Sequence, residues 1–244
     1  MLTHLTPEAL ADTVGIFGFA LAGIMAAAGR GVDPVGGFVL AFTTAFGGGL
    51  IRDIIIDRRP FYWVEHDYFV WGILVLTIFA PRLVFRFSEK TANRIYLWAD
   101  AVGLGFFSAA GTWAAYVDAR FPSIAAVLIG VCTGVFGGLL RDVFLNRVPA
   151  VLSDRKPYAA AAFAGSWLAV LFAKVGTDPT TALWTTAAAI IFIRMGALKL
   201  GLEIRYLTPR AKVVFPGNGP LESSGTQAPP SVHPKDAKDA DGKN

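Results

Sequence analysis

An arginine and an aspartate stand side by side at two places within otherwise apolar segments, as Arg52–Asp53 and Arg141–Asp142. Each pair follows closely on glycines, and the glycines concerned are Gly47, Gly48, Gly49, Gly134, Gly137 and Gly138. A charged side chain within a membrane span is costly and usually faces a cavity or a partner of opposite charge. The pattern therefore favours the binding or passage of a small charged solute.

Two further aspartates, Asp12 and Asp100, are the expected partners of these arginines. Asp12 begins the first apolar run on the side of the membrane where the second run ends with Arg52. Asp100 and Arg141 stand in the same relation in the fourth and fifth runs, so we expect the ion pairs Asp12–Arg52 and Asp100–Arg141. The alternatives are that the arginines reach the interface by snorkelling and that the aspartates favour helix N-termini. Arg194, near the end of the last run, is expected to snorkel.

The neighbouring aspartates, Asp53 and Asp142, are expected to take no part in these pairs. Adjacent residues of a helix point about 100° apart, and only residues three or four apart share a face. The hydroxyl groups of Thr44 and Thr133, which precede the glycine clusters, are candidates to line a pore and bind ions together with backbone carbonyls.

The glycine clusters predict a kink or a break in the second and fifth helices. Each glycine costs a helix interior about 1 kcal/mol relative to alanine. Broken backbone survives in a bilayer only where protein or a water-filled cavity satisfies it, and paired breaks in inverted repeats mark a site near the midplane. The alternative is close helix packing through small residues, which we expect for the isolated Gly23 and Gly111.

Other functional classes find no support in the sequence. His4, His66 and His233 are scattered without the spacing of a metal site, and neither a phosphate-binding loop nor a nucleophile elbow is present, so we predict no enzyme and no cofactor. The net charge of +4 needs no nucleic-acid partner, because basic loops account for it. The single cysteine, Cys132, excludes an intrachain disulfide and is expected in the core.

The elements that must position these residues are membrane-spanning helices. Hydrophobic residues make up 54% of the chain and charged residues 16%, against about 25% charged residues in soluble domains. Apolar runs long enough to cross a bilayer predict seven spans. The predicted spans are residues 11–28, 35–56, 69–84, 95–117, 123–145, 158–175 and 182–200.

The first six spans form two copies of one unit. At an offset of 88 residues Ala11–Ile16 matches Ala99–Leu104, and at an offset of 89 Gly48–Asp53 matches Gly137–Asp142. Three spans in each copy force the second copy to enter from the opposite face, so the repeats are inverted. We therefore predict an all-α integral membrane protein with two inverted three-helix repeats, residues 8–87 and 95–176, a seventh helix in residues 180–205, and a disordered cytoplasmic tail in residues 208–244.

Basic residues in the loops predict the orientation of the chain. The side that holds the N-terminus carries four of them, and the other side carries twelve. The four are Arg58, Arg59, Arg120 and Lys174; the twelve are Arg30, Arg82, Arg86, Lys90, Arg94, Arg147, Arg155, Lys156, Lys199, Arg205, Arg210 and Lys212. Because basic loops stay in the cytoplasm, we expect an inner-membrane protein with its N-terminus outside and its C-terminus inside.

The duplicated Gly-Gly-x-x-Arg-Asp at residues 48–53 and 137–142, in a plan of three, three and one helices, resembles the TRIC family of trimeric intracellular cation channels in its prokaryotic form. The resemblance covers residues 8–200. It implies a homotrimer in the membrane lipid, with one pore in each protomer lined by kinked second and fifth helices and passing potassium and sodium. The second copy reads Val135-Phe136-Gly137-Gly138, so its helix is expected to bend less. The same repeat domain has also been described as a glycine transporter.

Three functions follow. The first is a passive channel for monovalent cations, in which the charges of Arg52 and Arg141 must be neutralised by Asp12 and Asp100 or serve as gates. The second is a carrier for a small zwitterion such as glycine, with helix N-termini and arginines holding the carboxylate. The third is a membrane scaffold that transports nothing.

Overall fold

The computed structural model describes residues 7–84, 86–153 and 157–203, and in these ranges every regular element is a helix. Seven helices are long and two, α3 and α7, are single turns. The helices are α1 (Pro7–Ala28), α2 (Pro34–Ile55), α3 (Tyr62–Glu65), α4 (Tyr68–Val84), α5 (Glu89–Trp113), α6 (Ser123–Phe144), α7 (Ala150–Ser153), α8 (Ala159–Lys174) and α9 (Pro179–Leu200).

Local capping residues explain where several helices begin and end. The carboxylate of Asp33 accepts a hydrogen bond of 2.7 Å from the Gly36 amide, and that of Asp178 accepts one of 3.1 Å from the Thr181 amide. Each of these aspartates is followed by a proline at the first helical position, where the missing N–H costs nothing. Gly201, with φ of 63°, ends α9 in the left-handed conformation that favours glycine.

The long helices match the predicted runs to within a few residues, except that α5 begins six residues earlier, at Glu89. At its other end α5 continues into a π-helical turn, Ala114–Asp118. Four described helices, α1, α2, α6 and α9, are long and apolar enough to cross a membrane, and α4 and α8 are shorter apolar helices. The chain is therefore a multi-pass, all-helical membrane protein. The predicted tail, residues 208–244, lies outside the described residues.

Helices α1 and α5 pack against each other in opposite directions. A Cβ atom added to Gly15 of α1 would lie 3.1 Å from the ring of Phe107, and one added to Gly103 of α5 would collide with the ring of Phe19. Between these contacts the rings of Phe19 and Phe107 stack with centroids 5.4 Å apart. Phe19 and Phe107 stand 88 residues apart, as do Gly15 and Gly103. Equivalent residues of the two halves therefore meet at the centre of the bundle.

Helix α5 packs against α1, α6, α8 and α9, and α2 packs against α6, α1 and α4. Because α9 contacts α5 and α8, the seventh long helix covers the second half of the chain more than the first.

Candidate functional site

The first arginine, Arg52, holds two carboxylates near the end of α2. Its Nε donates a hydrogen bond of 2.9 Å to Oδ1 of Asp53, and its Nη1 lies 3.8 Å from Oδ1 of Asp12 on α1. The predicted contact between Asp12 and Arg52 is confirmed. The prediction that Asp53 stands apart is wrong, because the long arginine side chain folds back over its own helix and reaches the neighbouring carboxylate.

The second arginine, Arg141, repeats this arrangement near the end of α6 and makes a shorter ion pair. Its Nη1 donates a hydrogen bond of 2.7 Å to Oδ1 of Asp100 on α5, and its Nε donates one of 3.0 Å to Oδ1 of Asp142. The predicted contact with Asp100 is confirmed, and Asp142 again pairs with its neighbour against expectation. Both arginines are at most 2% exposed, so neither side chain snorkels to the surface.

The aspartates next to the arginines, Asp53 and Asp142, also accept hydrogen bonds from the single-turn helices α3 and α7. Oδ2 of Asp53 accepts a hydrogen bond of 3.3 Å from the amide of Tyr62, the first residue of α3. Oδ2 of Asp142 accepts one of 2.9 Å from the amide of Ala150, the first residue of α7. A carboxylate at a helix N-terminus satisfies free amides and complements the helix dipole. The signal for this role in the sequence is the repeated Arg-Asp pair, followed after nine residues in the first half and eight in the second by the first residue of a single-turn helix.

The Asp100–Arg141 pair is enclosed by aromatic and basic side chains. The hydroxyl of Tyr158 donates a hydrogen bond of 3.5 Å to Oδ1 of Asp100. The Arg141 guanidinium lies 5.1 Å from the centre of the Tyr96 ring, and the Arg194 guanidinium lies 4.7 Å from that of Tyr158. Arg194 is 4% exposed, so the expectation that it snorkels is wrong. It packs inward because the Tyr158 ring supplies a cation–π partner.

The Asp12–Arg52 pair instead lines a cavity of about 590 Å³. This cavity, which we call the α1 vestibule, lies where α1 begins and where α2 and α5 end. Its polar lining consists of Asp12, Arg52, Arg58, Tyr62, Glu65, His66 and Asp118. Burial is the main cause that raises the pKa of Tyr62 above its ordinary value, so its phenol stays protonated.

A second cavity, of about 450 Å³, lies near the end of α1 and the start of α5. Its polar lining residues are Glu89, Asn93, Tyr96 and Arg147, and α1 contributes the residues around Met25 and Gly29. The stacked rings of Phe19 and Phe107 lie in the packed centre of the bundle.

The glycine clusters lie at the crossing of α2 and α6. Both helices are continuous through the glycines, so a break is wrong, and a kink stays a prediction. The alternative of close packing is seen at these glycines. A Cβ added to Gly48 would collide with the carbonyl oxygen of Thr133, and one added to Gly137 would collide with that of Thr44. These glycines let the two backbones touch. Gly47 and Gly134 are close to side chains, Leu140 and Ser108, respectively.

The last residue of each cluster has a different environment. A Cβ added to Gly138 would lie 2.9 Å from the hydroxyl of Tyr158, whereas one added to Gly49 would meet nothing closer than 3.9 Å. The space beside Gly49 therefore has no counterpart beside Gly138.

Comparisons with known proteins give the family. A family model described as "Glycine transporter" matches residues 9–83 and 97–174. A UPF0126 membrane protein of Vibrio cholerae is 32% identical over 80% of this chain and 80% of its own length. The UPF0126 inner membrane protein YadS of Escherichia coli is 31% identical over 79% and 92%. A TRIC trimeric intracellular cation channel orthologue from Rhodobacter sphaeroides is 31% identical, with a TM-score of 0.73 over 80% of this chain and 98% of its own.

The chain belongs to the TRIC family. A second solved structure, described as a prokaryotic TRIC channel in 0.5 M KCl, is 24% identical, with a TM-score of 0.75 over 81% of this chain and 98% of its own. This second similarity supports the fold.

Two threonines that the sequence places along a pore are buried in this TRIC-family chain. Thr44 and Thr133 are 0% exposed, and their hydroxyls donate to the carbonyls of Leu40 and Ile129 on their own helices, at 2.5 Å and 2.7 Å. The predicted pore-lining position is therefore not seen in this conformation. Each threonine instead fills the contact beside a packing glycine, Gly23 or Gly111, as expected for those two glycines.

Two other residues considered in the sequence, Cys132 and His66, take no part in the ion pairs. Cys132 is exposed on α6, so the core position expected for it is wrong; in an apolar run, a cysteine is equally compatible with a lipid-facing surface. His66 lines the vestibule, and its ring stacks on that of Tyr62 at 4.2 Å. Within the described ranges, no group of three or more histidine, cysteine, aspartate or glutamate residues is arranged to hold a metal ion.

Proposed function

We propose that the protein is a passive channel for monovalent cations, chiefly potassium and sodium. It would be a homotrimer with one permeation path in each protomer. The observation that carries the proposal is the 31% identity to the Rhodobacter sphaeroides TRIC channel over 98% of that chain. The topology that we propose has seven spans in two inverted repeats and a seventh helix, with the N-terminus outside and the C-terminus in the cytoplasm.

The pairing of the arginines removes the main physical objection to cation passage. A buried arginine alone would repel a cation strongly in a region of low dielectric constant. Arg52 is within 4 Å of the carboxylates of Asp12 and Asp53, and Arg141 is within 3 Å of those of Asp100 and Asp142. Two carboxylates therefore offset each guanidinium along the proposed path.

The path that we propose follows the boundary between α2 and α6. The α1 vestibule gives water access to one end of it, and the second cavity lies toward the other. At the crossing, the contacts of Gly48 with Thr133 and of Gly137 with Thr44 leave no room for an ion. This conformation is therefore closed, and conduction requires the two helices to separate there.

The alternative is a carrier for a small zwitterion such as glycine. The family model that matches both halves of the chain bears the name of a glycine transporter. The two ion pairs differ in their surroundings, since Asp12 lines a cavity and Asp100 is enclosed. A carrier in a conformation that is open on one side of the membrane would show the same difference.

Purified protein in liposomes distinguishes these functions. A channel gives single-channel potassium currents that persist without any other solute, whereas a carrier gives saturable glycine uptake with exchange. The absence of both, in protein that light scattering shows to be assembled, would contradict both proposals and leave the membrane scaffold.

A further inference from the structure

Two buried oxygen atoms in the α1 vestibule receive no hydrogen bond from any described residue. They are Oδ1 of Asp12 and the hydroxyl oxygen of Tyr62, and both residues are 7% exposed. A buried polar atom without a partner costs about 1–3 kcal/mol, and more when it is charged. Both residues line the same cavity of about 590 Å³, so both unpartnered oxygens belong to the wall of one space.

The charges around the vestibule favour a cation in that place. The hydrogen bond of 2.9 Å from Arg52 goes to Asp53, while Asp12 lies 3.8 Å away without one. Asp53 is therefore the closer partner of Arg52, and Oδ1 of Asp12 keeps only the longer ion pair. The other acidic and basic lining residues are two acids, Glu65 and Asp118, and two bases, Arg58 and His66.

The other half of the chain shows what a satisfied version of the site looks like. Asp100, the equivalent of Asp12, receives hydrogen bonds from both Arg141 and Tyr158 at its Oδ1. No oxygen of Asp100 or Tyr158 is among the unpartnered buried atoms of the described residues. The protein itself satisfies that oxygen, whereas Oδ1 of Asp12 has no hydrogen-bond partner and its residue lines a cavity.

We propose that the α1 vestibule binds one small monovalent cationic group at Oδ1 of Asp12 and the hydroxyl oxygen of Tyr62. This inference rests on the proposed cation channel and gives it a specific ion site at one end. The shared chemistry is a single positive charge that accepts oxygen ligands, supplied by a potassium ion or by a primary ammonium group. One carboxylate and a neutral hydroxyl supply a single negative charge, which matches the charge of a monovalent cation, and water in the cavity can supply the remaining oxygen ligands.

Thallium, which replaces potassium at oxygen sites and is visible by nuclear magnetic resonance, is a direct probe. The full-length protein in detergent is titrated with thallium nitrate, and binding is followed by the broadening of the thallium signal. We expect saturable binding that Asp12→Asn weakens at least about tenfold.

Tyr62→Phe removes only an atom that makes no hydrogen bond in the protein, so it should weaken binding severalfold and leave thermal stability unchanged. Tyr68→Phe, at an exposed tyrosine that does not line the vestibule, is the control and should bind thallium like the parent.

Competition identifies the source of the charge. Potassium and methylammonium are expected to displace thallium, and displacement by glycine at a similar concentration would assign the site to an amino acid. Equal thallium binding by the parent, Asp12→Asn and Tyr62→Phe would overturn the site. So would displacement by none of these solutes.

Ion flux into liposomes, measured on the same variants, distinguishes a failure of the proposed ion site from a failure of the proposed channel function. Binding that is intact in a protein without ion flux would refute the channel and leave the site. Flux with no thallium binding at the vestibule would refute the site and leave the channel.

Discussion

Each buried arginine links three parts of its half of the molecule. Arg52 joins α2 to Asp12 on α1, and through Asp53 it supports the first turn of α3. Breaking a buried ion pair by removing one partner is more costly than the pair is stabilising, because the other charge is left uncompensated. The four aspartates that contact the arginines therefore contribute to stability as well as to any role in transport.

The two ion pairs should differ in their effect on stability. Asp100→Asn removes a carboxylate hydrogen-bonded at 2.7 Å to an arginine that is 1% exposed, and we expect a loss of about 3–5 kcal/mol. Asp12→Asn removes a carboxylate at 3.8 Å without a hydrogen bond, so the loss should be smaller. Thermal unfolding in detergent measures both. Equal losses would show that the distance between the charges does not govern their coupling.

The hydroxyl of Tyr158 is expected to hold the Asp100 end closed. Tyr158→Phe removes its hydrogen bond to Asp100 and keeps the ring on which Arg194 stacks. If this end limits conduction, potassium flux into liposomes should rise severalfold. Tyr68→Phe, at an exposed tyrosine of the first half, is the control and should leave flux unchanged. A flux that is unaltered in Tyr158→Phe would place the limiting step elsewhere.

Among the elements, α2 and α6 pack backbone against backbone, and their glycines serve that contact. A straight α-helix tolerates glycine when packing repays the loss of propensity, and in a membrane small residues let two backbones approach. Equivalent positions meet across the crossing: Gly48 faces Thr133, and Gly137 faces Thr44. A channel that opens here must therefore move helices rather than unwind them.

Two adjacent glycines of α2 allow a direct test of this contact. A methyl group at Gly48 collides with the backbone of Thr133, which cannot yield without moving a helix, so Gly48→Ala should destabilise the protein by about 1–3 kcal/mol. Gly49→Ala is the control, because its methyl group has ordinary contacts at 3.9 Å and a better helix propensity. Unfolding temperature in detergent and potassium flux are measured on both. Parent-like stability of Gly48→Ala would contradict a rigid crossing.

At the scale of the whole molecule, the two halves are built from equivalent elements, and equivalent residues meet at the centre. The seventh long helix, α9, reaches both ion pairs. Its Arg194 stacks on Tyr158 beside the Asp100 pair, and its Leu183 lines the vestibule at the Asp12 pair. The side chains of α9 therefore contribute to the difference between the two ends.

The proposed orientation can be tested with single cysteines in a Cys132→Ser background. Val64→Cys, in α3, should react with an impermeant maleimide from outside intact cells, because its loop lies on the side with few basic residues. Thr91→Cys, near the start of α5, should react only after the membrane is permeabilised. Both residues are exposed, so access is not limited by burial. The opposite labelling pattern would reverse the topology.

The helices and the contacts Asp12–Arg52 and Asp100–Arg141 could be predicted from the sequence. Hydropathy and capping residues act locally along the chain, and the repeat offset relates one ion pair to the other. The family could be recognised from the duplicated Gly-Gly-x-x-Arg-Asp motif.

Only the tertiary structure decided how these parts meet. Whether glycines break a helix or pack it depends on the neighbouring backbone, and Gly48 has the carbonyl of Thr133 against it. The burial of Thr44 and the inward position of Arg194 likewise depend on partners far away in the sequence. The difference between the two ends has the same origin: the motifs are nearly identical, but packing supplies the Tyr158 hydroxyl to one aspartate and a cavity to Asp12.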